Sequence, residues 1–157
     1  MRPGWRRSLE GDRLVLDTTA FYPNSGGQPH DTGSLARDGE EFPVLYVGLT
    51  DGKICNQLGR AGLVEGDRVA GFIDWERRYM FMRSHTACHL LSAFIYRETG
   101  AMITGNQIGE DRSRVDLQAC GGTHVGRTGK IGFVKMLKAE NKGRANRRVY
   151  FRVLDGD

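Results

Sequence analysis

The chain of 157 residues has no apolar run of 18 or more residues, so a membrane-spanning helix is not expected. Its first residues, Met1-Arg-Pro-Gly-Trp-Arg-Arg7, carry charge with no apolar stretch behind them, so no secretory signal is expected either. There are only three cysteines, Cys55, Cys88 and Cys120, an odd number without framework spacing. That argues against a disulfide scaffold and for a reducing, cytoplasmic setting. No internal repeat or low-complexity tract is present. A hydrophobic fraction of 39% is enough for one or two small domains, each with a modest core.

Charge is unevenly placed. Gly126 to Arg152 holds nine lysines and arginines against one acid, Glu140, a local charge of +8 that leaves −4 for the rest of the chain. A basic tail on an acidic body suits a phosphate-rich partner, although a solvated charged face reads the same way. Lys135, Lys138, Lys142, Arg144, Arg147 and Arg148 are the candidate RNA-binding residues.

The first part of the chain reads as short strands near 13–20, 42–48 and 67–73, punctuated by Gly-rich turns and by the Gly/Pro-rich stretch 21–33. A small barrel-like β-domain over residues 1–73 is therefore expected. Asp74 can cap a helix running to about Glu98, with Gly100 as its stop. Strands are expected at 113–117, 131–137 and 147–154, so residues 74–157 should form an α+β domain with one long helix on an antiparallel sheet.

Within that helix His85 and His89 are one turn apart, which lets both imidazoles share a metal. Ala87, Leu90, Leu91, Phe94 and Ile95 form an apolar stripe expected to face the core. His85, His89, Ser92 and Tyr96 fall on the opposite face, where they are expected to stand clear of the packing. Cys120 and His124 repeat the spacing on a glycine-broken loop. Four imidazole and thiolate donors suit one zinc ion. A closed four-ligand shell would be structural, whereas catalysis keeps a position open for water. Thr86 stands where a HExxH protease has its glutamate, which disfavours that class. Gly121 and Gly122 allow a tight turn or close approach of a ligand, and with Thr123 they are candidate substrate-binding residues.

Several stretches together resemble the free-standing AlaX proteins and the editing domain of alanyl-tRNA synthetase. They are Phe21-Tyr-Pro-Asn-Ser-Gly-Gly-Gln-Pro-His-Asp-Thr-Gly33, Asp74-Trp-Glu-Arg-Arg-Tyr79 and Met82-Arg-Ser-His-Thr-Ala-Cys-His-Leu-Leu91. Thr104-Gly-Asn-Gln-Ile108, Cys120-Gly-Gly-Thr-His-Val125 and Thr128-Gly-Lys-Ile-Gly132 complete the set.

The resemblance implies a glycine-rich β-barrel domain followed by an α/β editing domain with a zinc-bearing helix. It places His85, His89, Cys120 and His124 on the zinc ligands and Gln107 in the amino-acid pocket, so that Gln107, His85 and His89 are the candidate catalytic residues. The implied activity is trans-editing, the deacylation of tRNA(Ala) mischarged with serine or glycine, by a monomer or homodimer. A non-catalytic, zinc-stabilised tRNA-binding module is the alternative. One departure stands out. In the family several dozen residues separate the strand matching Arg114-Val-Asp-Leu117 from the Cys-Gly-Gly-Thr-His loop, whereas here Leu117 runs directly into Gln118-Ala-Cys120.

Overall fold

The computed structural model describes residues 5–7, 12–100, 107–114, 121–141 and 147–155. The chain divides into two compact units: residues 1–25 with 30–78, and residues 26–29 with 79–157. Four residues of the Gly/Pro-rich stretch, Gly26 to Pro29, thus belong to the second unit. No helix among the described residues is long and apolar enough to cross a membrane.

The first unit is a six-stranded antiparallel sheet. Its strands are β1 (Trp5–Arg7), β2 (Arg13–Leu16), β3 (Gly33–Arg37), β4 (Glu40–Thr50), β5 (Lys53–Leu58) and β6 (Ala70–Ile73), in the order β1-β2-β5-β4-β3-β6. Barrel closure is not among these pairings, since β1 and β6 stand at the two ends of the order. Tight turns explain the hairpins. Asp38 and Gly39, and Asp51 and Gly52, all take positive φ, the pattern of a two-residue hairpin loop. Leu14, Phe21, Leu35, Phe42, Val44, Val47, Leu58 and Leu63 bury their side chains together on one side of this sheet.

The 21–33 stretch is held by an ion pair that its composition does not reveal. Asp31 is fully buried, and its carboxylate accepts from Arg78 Nε at 2.9 and 3.1 Å and from the Tyr22 N–H at 2.6 Å. Arg78 also donates from Nη2 to the Ala20 carbonyl at 2.6 Å. A loop with few apolar residues is thereby ordered by satisfied charges.

The helix α1 (Trp75–Thr99) begins and ends where expected. Asp74 Oδ1 accepts from the Arg77 N–H at 3.1 Å, an N-cap, and Gly100 closes the helix at φ +67° with its N–H on the Tyr96 carbonyl. In the second unit, β7 (Ser113–Arg114), β8 (Phe133–Asn141) and β9 (Arg147–Leu154) form an antiparallel sheet in the order β7-β9-β8. Arg83 ties the helix to it, donating from Nε to the Ile131 carbonyl at 2.7 Å and from Nη2 to the Leu154 carbonyl at 2.5 Å. The α+β layout of this half agrees with expectation, while residues 115–117 of the expected strand and the Leu117–Gln118 junction lie outside the described residues.

The helix is rotated relative to its apolar pattern. Phe81, Ser84, His85, Cys88 and Ser92 are buried, together with Ala87, whereas Leu90 and Phe94 are 47% and 54% exposed. The expectation that the histidines stand clear of the packing is corrected for His85, which is fully buried, and the expected core-facing stripe holds only in part: Ala87 is in the core with Leu91 packed against it, while Leu90 and Phe94 are not. Phe81, His85, Cys88 and Ser92 lie within about 60° of one another on the helix wheel, nearly opposite Phe94. That face carries enough apolar surface, with Ile108, Val125, Ile131 and Phe151, to make the core of this unit.

Removing the Asp31 carboxylate would leave a buried guanidinium without its anion. Asp31→Ala should cost about 3–5 kcal/mol of unfolding free energy, measured by urea titration; a cost below about 1 kcal/mol would show the pair to be dispensable.

Candidate metal centre

Three of the four expected ligands converge. The ligand nitrogens of His85, His89 and His124 all lie within 4.8 Å of one another. The ring centroids are 5.3 Å apart for His85 and His89, 4.5 Å for His85 and His124, and 5.2 Å for His89 and His124. The one-turn spacing on α1 supplies the first two, and the loop after Gly122 brings the third. Cys120 lies outside the described residues.

The hydrogen bonds around the cluster select the tautomers. Gln28 is 1% exposed. Its Oε1 accepts from the Thr123 N–H at 3.1 Å while its Nε2 donates to Thr123 Oγ1 at 2.9 Å, which fixes the direction of the amide. The 2.9 Å contact between His85 Nδ1 and Gln28 Oε1 therefore requires the proton on Nδ1. His85 Nε2 is left with its lone pair.

A parallel argument holds for His124. Thr86 donates its hydroxyl proton to the Met82 carbonyl at 2.9 Å, so Thr86 Oγ1 accepts from His124 Nδ1 at 3.2 Å. Thr86 Oγ1 also meets the Val125 N–H at 3.3 Å. His85 and His124 thus each have one ring N–H held by the protein, the arrangement that orients histidines on a metal.

His89 supplies the test of fit. Its Nε2 is buried and has no hydrogen-bond partner. A buried imidazole nitrogen without a partner is costly, and a cation shared by the three histidines would remove that cost. The donor set suits zinc or another imidazole-seeking ion.

Protonation is opposed in the same place. Burial, reinforced by the charges of His124 and His89, pushes the His85 pKa down to about 4, and burial with His89 lowers that of His124. His85 is therefore neutral at pH 7, the form that binds metal.

Gly122 has no room for a side chain. A Cβ there would fall 1.9 Å from His85 Cε1, 2.1 Å from its Nδ1 and 2.9 Å from Gln28 Oε1. Gly121 has open space on its side, and the hydroxyl and N–H of Thr123 are both engaged by Gln28. From the sequence Gln28 is one residue of the 21–33 stretch and Thr86 only the position of a missing glutamate; both hold candidate ligands. Nothing local in the chain marks either role, because their partners lie 57 and 38 residues away.

Gln107 is exposed and lines a different feature, a polar cavity of about 630 Å³ with Arg112, Ser113, Arg148 and Tyr150 in its wall. None of the three histidines lines that cavity. The neighbouring Ile108 N–H donates to the Gly27 carbonyl at 2.8 Å, and Gln28 meets His85, so the Gly26–Pro29 segment abuts both Ile108 and His85.

Residues 6–77 match the family model of class II (A) tRNA synthetases, and residues 103–150 match the threonyl and alanyl tRNA synthetase second additional domain. The chain is 37% identical to the alanyl-tRNA editing protein AlaX-M of Methanosarcina mazei, covering 93% of this chain and 88% of that protein. For the AlaX-M of Saccharolobus solfataricus the identity is 30%, covering 92% and 90%. The chain belongs to the AlaX family of alanyl-tRNA editing proteins. It is also 45% identical to 12% of the alanine–tRNA ligase of Pyrococcus furiosus, over 68% of this chain. The alignment with the Methanosarcina mazei AlaX-M runs over 222 positions, more than the 157 residues present here, so that AlaX protein has residues without a counterpart in this chain.

As an AlaX chain it presents its basic residues in a defined way. Strand register puts Phe133 opposite Leu154, Lys135 opposite Arg152, Lys138 opposite Tyr150 and Glu140 opposite Arg148. Phe151, on the other face of β9, is in the core with the helix. Lys135, Lys138, Arg148 and Arg152 therefore share the face turned away from α1. Arg112 and Lys138 lie 5.2 and 4.8 Å from the Tyr150 ring centroid on their charged atoms. Lys142, Arg144 and the side chain of Arg147 lie outside the described residues.

Gly122→Ala should lower metal content at least tenfold by elemental analysis while leaving the helix signal in circular dichroism intact; unchanged metal content would refute the cradle. The metal-free protein should be pH-sensitive in a set direction. Because the folded-state pKa of His85 is below the unfolded value, the unfolded chain binds more protons between the two. Stability should be full above about pH 6.5 and fall by roughly 3 kcal/mol as pH drops to about 4, as urea midpoints would show. His85→Gln should flatten that slope.

Proposed function

We propose that this protein is a trans-editing hydrolase that deacylates tRNA(Ala) mischarged with serine, and also with glycine, using one zinc ion. The single observation that carries the reading is the three-histidine cluster with its orphaned His89 nitrogen, in a chain whose AlaX relatives are named for alanyl-tRNA editing. His85, His89 and His124, completed by Cys120, would hold the ion. When bound, it supplies a Lewis acid able to polarise the ester or to engage the serine hydroxyl.

The chain's own residues do the rest. Gln28 and Thr86 keep two Nδ1 protons occupied, which aims the remaining nitrogens at one point. Gln107, Gly121, Gly122 and Thr123 would line the approach of the amino acid. The chemical need is clear: a pocket for alanine cannot strongly reject a smaller glycine or a serine that only adds a hydroxyl, so a second hydrolytic sieve is required. Lys135, Lys138 and Arg148 on the outer sheet face, with Lys142, Arg144 and Arg147, would hold the acceptor stem through its phosphates. In this reading residues 1–73 form the glycine-rich barrel domain, residues 74–157 the editing domain, and the protein works in the cytoplasm.

A second reading is favoured by the relatives' extra residues: a zinc-stabilised tRNA-binding module without turnover. One assay separates them. Ser-tRNA(Ala) should be deacylated at least tenfold faster than Ala-tRNA(Ala), a chelator should abolish the difference, and added zinc should restore it. Salt-sensitive binding of tRNA with no release of serine would establish the module instead.

A further inference from the structure

The polar cavity beside Gln107 takes no part in the histidine cluster, yet it is a built feature. Its volume of about 630 Å³ falls within the ~300–1,000 Å³ common for small-ligand sites. One wall is the loop that leads into β7. A Cβ at Gly109 would lie 2.7 Å from the Arg112 carbonyl oxygen, so this turn closes only around glycine. The Ile108 N–H ties the same loop to the Gly27 carbonyl, next to the glutamine that holds His85.

The other wall is β9, where Tyr150 is fixed in place. Arg148 Nη1 donates to the Tyr150 hydroxyl at 3.4 Å, and that hydroxyl donates to Glu140 Oε2 at 3.3 Å. Arg112 reaches the ring from the β7 side and Lys138 from β8, the two neighbours of β9. Two carboxylates, Glu110 and Asp111, share the cavity wall with Arg112 and Arg148. A surface for phosphates alone would need only the cations. Acids, cations and an aromatic ring in one cavity call for a ligand that uses all three.

We infer that this cavity takes one unpaired ribonucleotide of an RNA chain, an inference that rests on the editing reading for its choice of RNA. The exposed Arg112 guanidinium, backed by the Tyr150 ring, offers a plane on which a base can stack. Arg148 has further N–H donors for a phosphate. Glu110 and Asp111 can accept from ribose hydroxyls, the 2′-hydroxyl included, which is the group that separates RNA from DNA. A free amino acid matches the mixed charges but has no plane to lay on Arg112. The outer sheet face would then hold phosphates without regard to sugar or base, whereas this cavity would read both.

Calorimetric titration of the full chain, with zinc added, tests the site without any aminoacylated RNA, so its outcome is independent of whether serine is released. The probes are an unpaired RNA trinucleotide, the DNA trinucleotide of the same sequence, adenosine 5′-monophosphate and free serine. The RNA trinucleotide should bind about tenfold more tightly than the DNA and than the mononucleotide. Arg112→Ala should weaken RNA binding about tenfold, the loss expected for one stacked base, at an unchanged melting temperature. Glu110→Gln with Asp111→Asn should bring RNA and DNA to equal affinity, while Lys135→Ala, outside the cavity wall, should leave their ratio as it was. No saturable RNA binding up to about 1 mM, equal affinity for RNA and DNA, or RNA binding indifferent to Arg112→Ala would each overturn the inference. So would a mononucleotide that binds as tightly as the trinucleotide, or free serine that displaces it.

Discussion

The hydrogen bond from His85 Nδ1 to Gln28 Oε1 is the contact on which the three-histidine cluster depends. It joins a residue on the long helix to a residue of an early loop, and through Thr123 it reaches the loop that carries His124. Gly122 completes the arrangement by contributing no side chain at all, since His85 occupies the space that a Cβ would need. Three segments far apart in sequence are thus locked around one imidazole, and the orientation of that imidazole follows from an amide with both ends engaged.

The helix serves two surfaces with different physics. One face buries histidines and small polar residues among apolar neighbours, where the environment holds His85 neutral and ready to coordinate. The other face has the apolar periodicity usually found against a core; Ala87 and Leu91 pack there, while Leu90 and Phe94 lie half exposed beside the edge strand. The core of this unit takes residues from both sides, Phe81 and Cys88 beside His85 and Ala87 from the apolar stripe.

Electrostatics divides the sheet in the same manner. Its inner side contributes Phe151 to the core, and its outer side displays lysines and arginines around Tyr150. Period-two alternation is enough to separate the two faces, so one strand can turn apolar side chains toward the helix and cations away from it.

Much was legible in the chain before its fold. Asp74 and Gly100 marked the helix ends because capping is a local interaction, and the 147–154 strand followed from its own pattern of residues. The histidine pair on α1 and His124 were identified by donor type and spacing, which are properties of sequence. The burial of the helix was not legible, because a periodic stripe shows that one face is apolar and leaves open what it meets. Nor were Gln28, Thr86, Asp31 and Arg78, whose roles arise from partners between 38 and 57 residues away. By itself, then, the sequence determined the elements, their ends and the kinds of donor atom. Only the tertiary structure decided which ring nitrogens of His85 and His124 the protein holds and which face of the helix is buried, because both depend on non-local contacts made once distant segments meet.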